Sequence, residues 1–397
     1  MNAALKTYAI AETAAPSGRA FAVRRLTLTD FRNWGSLRVE LGVAPVVLTG
    51  PNGAGKTNLL EALSFLAPGR GLRRARLGQA TRHGTDTGWA IYARVDASEG
   101  TVEIGTGLVR EEGAPNTAER RQVRLDGRAA QPVALAGLGP VSWLTPSMDR
   151  LFVEAASGRR RFLDRLVYGD DPDHARRVAS YDTALRERAK LLAERRGDAS
   201  WLGALEAQMA EHGIAIACAR ADLVTRLDAA LAEDSAPFPS AALTMTGEVE
   251  GWLARLPALG AEDAFREALA AARARDAEAG GAAVGPHRSD LLVTHRARGV
   301  VAAECSTGEQ KALLLSIVLA DARLTAARRG LAPLLLLDEV AAHLDSVRRD
   351  ALFERLRGLG AQAWLTGTDS ALFQGLARQA QCFDVRDGTL RPTEIST

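Results

Sequence analysis

Residues 50–57 read GPNGAGKT and follow the apolar stretch PVVLT. The spacing fits G-x-x-x-x-G-K-[ST], in which glycines let the backbone curl until its amide hydrogens face phosphate oxygens. The helix expected after the glycines adds the positive end of its dipole at the same place. The sequence therefore predicts a cradle for nucleotide phosphates, made of Gly50, Pro51, Asn52, Gly53, Ala54, Gly55, Lys56, Thr57 and Asn58.

Two side chains at the end of this motif carry its charge and metal chemistry. Lys56 is expected to reach the β and γ phosphates, and the Thr57 hydroxyl to bind magnesium. Only four of the 50 basic residues are lysines, so this chain uses arginine wherever a positive charge alone is needed. A lysine at position 56 is therefore informative. The expected cofactors are ATP and Mg²⁺.

A second chemical motif follows the apolar run Leu334 to Leu337, where the chain continues with Asp338 and Glu339. Such a run is typical of a strand buried on both faces of a parallel sheet. Asp338 at its end is expected to share magnesium with Thr57. Glu339 is the predicted base for an attacking water, so Lys56, Asp338 and Glu339 are the predicted catalytic residues.

A third stretch, CSTGEQKALLL, places Ser306, Thr307 and Gly308 directly before good helix formers. A serine or threonine cap is common at any helix start, so this stretch alone predicts no more than a cap. This stretch lies in the sequence between the P-loop and the Asp-Glu pair, and Asp345 follows in the turn AAHLD. This order of motifs resembles that of the ATP-binding-cassette ATPases. That resemblance implies an ATP-dependent homodimer in which Ser306 and Gly308 bind the partner's nucleotide and Asp345 lies in the D-loop.

The surrounding patterns predict a split α/β domain. Alternating apolar segments with glycine-rich turns indicate strands before residue 147, and apolar residues at helical spacing dominate the next 130 or so. Strand and helix then alternate again. The predicted domains are residues 1–147 with the P-loop, a helical insertion at 148–280, and residues 281–397 with the signature, Walker B and D-loop motifs.

Further motifs indicate one family within these ATPases. LTLTDFRNW, GRRRFLD, GPHRSDL and WLTGTD together resemble the RecF family of recombination-repair proteins over nearly the whole chain. Chromosome-maintenance and break-repair ATPases share the split, but their insertions are coiled-coil arms of several hundred residues. The resemblance implies an ATPase head, with a mixed-sheet lobe and a parallel P-loop lobe, around an inserted helical domain.

The same resemblance implies a function. It predicts a dimer that binds duplex and gapped DNA and helps RecO and RecR load RecA, with slow hydrolysis resetting it. Two departures from the wider cassette pattern accord with a weak, DNA-stimulated ATPase. Ser142 occupies the place of the glutamine loop, and Thr366, Thr368 and Asp369 stand where a switch histidine is expected.

Two further pairs have open roles. Arg32 and Asn33 match the family's FRN motif, and Arg32 either meets a nucleotide phosphate or belongs to a surface turn. His287 and Arg288, within GPHRSDL, either contact nucleotide or brace the interface between lobes.

The predicted DNA contacts are two arginine clusters, which can neutralise phosphates. Charge runs are usually solvated faces, and Arg160 or Arg161 could instead anchor the helical insertion, so both interpretations stay open. Few aromatic residues accompany the arginines, which favours contact with duplex backbone over stacking on bases. The residues are Arg70, Arg73, Arg74 and Arg76 in the first cluster, and Arg159, Arg160 and Arg161 in the second.

Composition indicates an ordinary soluble protein. The 397 residues are 47% hydrophobic and 25% charged, and no apolar run is long enough to span a bilayer. The N-terminus shows no leader pattern, and the three scattered cysteines fit reduced thiols, so a cytoplasmic location is expected. The alternative functions are ATPase subunits that energise a transporter or a nuclease complex.

Overall fold

The structure is a computed structural model that describes residues 7–8, 19–85, 87–109, 119–194, 198–233 and 237–395. It divides into two compact units, one from Met1–Asp149 with Val318–Thr397 and the other from Arg150–Ile317. Among the described helices, none has the length and apolarity needed to cross a membrane.

Strands and helices are numbered in chain order. The strands are β1 Thr7–Tyr8, β2 Ala22–Phe31, β3 Trp34–Glu40, β4 Val46–Thr49, β5 Gly88–Ala97, β6 Gly100–Val109, β7 Arg121–Leu125, β8 Arg128–Ala130, β9 Val141–Leu144, β10 Ala241–Thr246, β11 Asp290–His295, β12 Val300–Val301, β13 Leu334–Leu337, β14 Ala363–Gly367, β15 Gln381–Arg386 and β16 Thr389–Pro392. The helices are α1 Lys56–Ser64, α2 Leu135–Leu138, α3 Ala156–Asp170, α4 His174–Glu194, α5 Ala199–Glu233, α6 Glu248–Leu253, α7 Ala258–Ala271, α8 Arg273–Ala279, α9 Thr307–Arg329 and α10 Ser346–Leu359.

A six-stranded sheet lies at the centre of the first unit, in the order β16-β15-β4-β14-β13-β9. All neighbours are parallel except β15 and β16. Strands β4 and β13 are buried at every position, as their unbroken apolar sequences predict. Because parallel strands end at the same edge, the P-loop after β4 and the acids after β13 emerge together.

A second sheet of the same unit has the order β1-β3-β2-β5-β6-β7-β8 and is antiparallel apart from the β1–β3 pair. Its buried face shares one hydrophobic core with α1 and the parallel sheet. Phe31, Phe65 and Trp89 meet in this core, with the Phe31 ring edge-on to both others and centroids 4.9–6.0 Å apart. This core fixes the position of α1, which begins at the P-loop lysine.

The second unit combines α3 to α8 with a three-stranded sheet in the order β10-β11-β12. Strand β10 lies where the proline-containing stretch SAPFPSAALTMTG predicts a short strand, and it pairs along its whole length with β11. Residues beyond 280 therefore stay in this unit up to Ile317. The division into functional domains at 147 and 280 remains a prediction.

The helices of the second unit enclose a group of charged side chains as well as an apolar core. The Arg188 guanidinium is 1% exposed and donates to Glu206, Asp276 and the Leu269 carbonyl. Arg273 donates to the same Glu206 carboxylate. Buried charges are tolerated when each is paired and hydrogen-bonded in this way, and such pairing fixes the register of α4, α5 and α8.

Candidate functional site

The backbone between β4 and α1 has the conformation that a phosphate cradle needs. Gly50, Gly53 and Gly55 have φ values of 141°, 80° and 113°, which L side chains rarely adopt. A Cβ on Gly50 would lie 2.2 Å from the Val385 carbonyl oxygen, and one on Gly55 2.5 Å from Asn33 Nδ2. No side chain caps the start of α1, so its first amides remain available to an anion.

Lys56 is folded back over this loop. Its Nζ donates to the carbonyl oxygens of Gly50, at 2.7 Å, and Pro51, at 2.9 Å. Burial lowers the pKa of Lys56, and the nearby Glu339 and Asp338 partly oppose that effect. The ammonium group is thus held by weak, neutral acceptors, which a phosphate anion can replace.

Asp338 and Thr57 form the candidate metal site. The Thr57 hydroxyl is 3.0 Å from both carboxylate oxygens of Asp338, so the two groups that magnesium requires already touch. Burial raises the pKa of Asp338, while hydrogen bonds from Thr366 and Thr57 oppose the shift. A hydroxyl and a carboxylate fit Mg²⁺, which keeps several waters and needs few protein ligands.

Glu339 follows with an unusual backbone. Its φ is 54°, in the left-handed region that a non-glycine residue enters only at a cost. Its amide donates to the Thr366 hydroxyl at 2.8 Å rather than to a strand carbonyl. Thr366 was singled out in the sequence only as a substitute for a missing histidine, and the structure places it directly beside the two acids.

Arg32 and Asn33 lie in the β2–β3 turn and contact α1. Arg32 donates through Nε and Nη2 to the two oxygens of Glu61, at 2.8 and 2.6 Å. Asn33 donates to the Ala54 carbonyl at 2.9 Å and accepts from Asn58 at 2.7 Å. Sequence reasoning missed Glu61, which is 1% exposed. The only signal in the sequence is a single acid within the apolar stretch NLLEALSFL, which does not identify its partners.

The first arginine cluster begins beside the same carboxylate. Arg73 donates to Asn58 at 2.7 Å and to Glu61 at 3.1 Å, so it lies against α1. Arg70, Arg74 and Arg76 are exposed. All four arginines are therefore exposed, and Arg73 differs from the other three in that it also pairs with Glu61.

The predicted signature residues begin α9. The Ser306 amide and hydroxyl donate to Glu309 at 3.0 and 2.9 Å, and Arg298 also pairs with Glu309. This is the geometry of a capping box, which an ordinary helix start also shows. Ser306 and Gly308 are exposed, and a Cβ on Gly308 would meet nothing within 4 Å. The helix end is therefore open to a ligand from outside.

Asp345 and Asp369 each cap a following helical turn. Asp345 accepts from the Arg348 amide at 2.8 Å at the start of α10, and Asp369 accepts from the Ala371 amide at 2.9 Å. Ser142 lies inside β9, buried, and its hydroxyl has no hydrogen-bond partner among the described residues. Of the residues in the glutamine-loop and histidine positions, Thr366 is the one that contacts the acids.

The second arginine cluster begins α3. Arg159 donates to both oxygens of Asp290, and Arg160 donates to the Ser289 carbonyl at 2.6 Å. Arg161 is exposed. Arg159 and Arg160 therefore make contacts within the second unit; the anchoring alternative named Arg160 or Arg161 and did not include Arg159. Contact of the three arginines with DNA stays a prediction.

His287 and Arg288 also make contacts within the second unit. Burial lowers the pKa of His287 to about 4, so its neutral ring accepts from the Tyr181 hydroxyl at 2.7 Å and donates to the Ala282 carbonyl at 2.9 Å. Arg288 donates to the same carbonyl at 3.1 Å. These contacts brace the helical unit.

Comparison with known proteins gives one consistent result. The model of the RecF/RecN/SMC N-terminal domain family matches residues 22–391. The DNA replication and repair protein RecF of Mesorhizobium japonicum is 51% identical over 376 residues, which cover 94% of this chain and 98% of that protein. The RecF of Rhizobium etli is 52% identical over 368 residues, covering 92% and 97%.

Solved structures show a similar fold. A structure of the recombination mediator protein RecF-ATP in the RecFOR pathway aligns with a TM-score of 0.81 at 21% identity, covering 95% of this chain and 99% of the other. The Smc head domain of Pyrococcus furiosus aligns with a TM-score of 0.52 at 16% identity, covering 94% and 96%. The predicted fold class, an ATPase head with an inserted helical region, is confirmed.

Proposed function

Because this chain belongs to the RecF family of DNA replication and repair proteins, we propose that it is an ATP-dependent DNA-binding protein of recombinational repair and replication restart. The observation that carries this proposal is the direct contact of Thr57 with Asp338 beside a buried Lys56. A hydroxyl, a carboxylate and an ammonium group at the start of α1 are the groups that hold a magnesium–triphosphate complex.

Each residue of the cleft has a role in this proposal. The backbone amides of residues 50–58 other than Pro51, together with the Lys56 ammonium group, bind the phosphates, and Thr57 and Asp338 hold the metal. The metal, when bound, neutralises charge that develops on the phosphates. Glu339 accepts the proton of the attacking water, and Asn33 keeps the loop in place through its bond to Ala54.

The proposed active form is an ATP-dependent homodimer. The exposed start of α9, with Ser306 and Gly308, supports a composite site because its amides and dipole favour an anion supplied by a second subunit. Asp345 is exposed on the turn before α10 and belongs to the same interface in this proposal. Hydrolysis then separates the subunits and resets the protein.

The proposed partners are DNA and the mediators of the pathway. Exposed Arg70, Arg73, Arg74 and Arg76 support contact with duplex backbone at single-strand gaps. A structural neighbour is described as a recombination mediator of the RecFOR pathway, which supports RecO and RecR as partners in loading RecA. The proposed domains are an ATPase domain from residues 1–147 and 281–397 and an insertion from 148–280.

The cleft assignment is tested with two variants that fail at different steps. Lys56→Ala should lose ATP binding, whereas Glu339→Gln should bind ATP and form a longer-lived dimer because only water activation is lost. Sedimentation with and without ATP measures both effects. A Glu339→Gln protein that stays monomeric with ATP would show that Glu339 is misassigned.

The shared site is tested by mixing. Ser306→Arg should bind ATP through its own Lys56 but neither dimerise nor hydrolyse, because a long cation blocks the start of α9. Mixed with Lys56→Ala, it can form one intact site per heterodimer, so activity should return to at most about half the wild-type value per dimer. Heterodimer formation with a slowly hydrolysed analogue is followed in parallel.

Hydrolysis by Ser306→Arg alone at the wild-type rate would contradict the shared site. Binding and hydrolysis that are indifferent to DNA, with retention on a membrane or nuclease partner, would instead favour an ATPase subunit of another complex.

A further inference from the structure

One buried hydroxyl joins the two acids of the cleft. Thr366 lies at the end of β14, between β4 and β13, and is 1% exposed. Its Oγ1 donates to Asp338 Oδ1 at 2.7 Å and accepts from the Glu339 amide at 2.8 Å. A single side chain thus contacts the predicted metal ligand and the backbone of the predicted base.

The Glu339 backbone needs such a contact. A glutamate at φ 54° is strained, and such a conformation persists only where surrounding contacts hold it. The preceding amide, at Asp338, donates to the Leu144 carbonyl and so continues the ladder toward β9. At Glu339 the chain turns toward β14, where the Thr366 hydroxyl is its acceptor.

The direction of both bonds is fixed by chemistry. An amide can only donate, so the Thr366 oxygen accepts from Glu339 and its hydrogen is free to point to Asp338. The carboxylate then receives hydrogen bonds from two threonines, Thr366 and Thr57. Thr57, a predicted metal ligand, contacts both oxygens of Asp338, whereas Thr366 contacts Oδ1 alone.

We propose that Thr366 is the positioning residue for hydrolysis: its hydroxyl holds the left-handed backbone at Glu339 and orients Asp338, so that both acids face the phosphates. Thr366 acts through these acids and does not touch nucleotide. This inference rests on the proposed ATPase function. The sequence has no histidine at the switch position, and the proposal assigns the task of that histidine to Thr366.

The experiment compares Thr366→Val, which keeps the shape but removes the hydroxyl, with Thr366→Ser, which keeps the hydroxyl. Thr366→Val should bind ATP within about 3-fold of wild type and lose at least about 10-fold in single-turnover hydrolysis, because the lost contact matters after binding. Thr366→Ser should hydrolyse within about 3-fold of wild type. Thr325→Val is the matched control, a threonine on α9 that is 3% exposed.

Each outcome decides the matter. Thr366→Val hydrolysing like Thr325→Val would overturn the proposal. Thr366→Ser as inactive as Thr366→Val would also overturn it, because a retained hydroxyl would then fail to sustain hydrolysis. Thr366→Ala removes the hydroxyl without adding bulk and replaces the valine variant if that protein does not fold. A wild-type protein that fails to bind or hydrolyse ATP would contradict the proposed function instead.

Discussion

Arg159 and Asp290 are joined by two parallel hydrogen bonds, with Nε and Nη2 of the guanidinium each 2.8 Å from a carboxylate oxygen. The pair links the start of α3 to the start of β11. The remaining nitrogen of Arg159 donates to the carbonyls of Leu151, Phe152 and Glu154. Arg159, a predicted DNA contact, therefore holds the segment before α3 next to β11, which lies far along the chain.

Arg159→Ala should lower the free energy of unfolding of the protein by about 1–3 kcal/mol, because it leaves a carboxylate and three carbonyls without their donor. The side chains are 14% and 34% exposed, so water screens part of the loss. Arg161→Ala, at an exposed neighbour on the same helix, should change stability by less than about 0.5 kcal/mol. Urea unfolding of both variants checks this, and equal losses would refute the structural role of Arg159.

Replacing Arg73, Arg74 and Arg76 together with glutamine should weaken duplex binding. The slope of log K against log salt should fall by up to about 0.9 for each phosphate contact that is lost. The control replaces three exposed arginines of the same unit: Arg120 just before β7, Arg124 on β7 and Arg128 on β8. Equal slopes for both triple variants would show that net charge, rather than this cluster, sets the affinity.

Arg188→Leu should destabilise the helical unit strongly. The change leaves buried Asp276 without its arginine, whereas Glu206 keeps Arg273, and breaking a buried pair costs about 3–5 kcal/mol. Lys190→Ala on the same helix removes a cation that is 74% exposed and should be nearly neutral. Thermal unfolding of the two variants compares them, and an Arg188→Leu protein as stable as Lys190→Ala would contradict the assignment.

Acid should weaken the native state through His287. Burial lowers its pKa to about 4, below the value of about 6.5 for an unfolded chain. Between these values the unfolded state binds more protons, so stability falls as pH falls from 6.5 to 4 and levels off below. His287→Gln should reduce the loss of unfolding free energy between pH 6.5 and pH 4 by about 1–3 kcal/mol. Unfolding measured at a series of pH values checks this. An unchanged pH profile in the glutamine variant would place the titration elsewhere.

Asp338→Asn should stabilise the nucleotide-free protein while it abolishes hydrolysis. Burial raises the pKa of Asp338, so the native state pays for its charge at any pH above that raised pKa. The amide removes this cost and should raise the unfolding free energy at neutral pH. Differential scanning calorimetry without nucleotide tests the sign, and a lower Tm would show that Asp338 stabilises the empty cleft.

Residues that act through local sequence were predictable. The glycines of the P-loop identify a backbone that only glycine adopts readily, and Leu334 to Leu337 identify a doubly buried strand before Asp338. The short strand β10 was also predictable, because its alternating apolar pattern is recognisable next to the prolines that precede it. In these cases the pattern and the structural cause lie within about ten residues of each other.

Residues that act through tertiary register were not predictable as such. Thr366 reaches Glu339 only because β14 pairs with β13, with Leu365 opposite Leu337. Glu61 gains its role from Arg32 in a distant turn and from Arg73 beyond the end of α1. One arginine run likewise divides into paired Arg159 and exposed Arg161, because helical geometry turns neighbouring side chains in different directions.

The position of β4 has a consequence for how the chain folds during synthesis. Both neighbours of this strand, β14 and β15, come from the last part of the chain, whereas the second unit is one continuous segment. The ribosome therefore releases a strand that is buried at every position in the folded protein long before its partners exist. The helical unit can fold first, and the nucleotide cleft is assembled last, when β13 to β15 insert on both sides of β4.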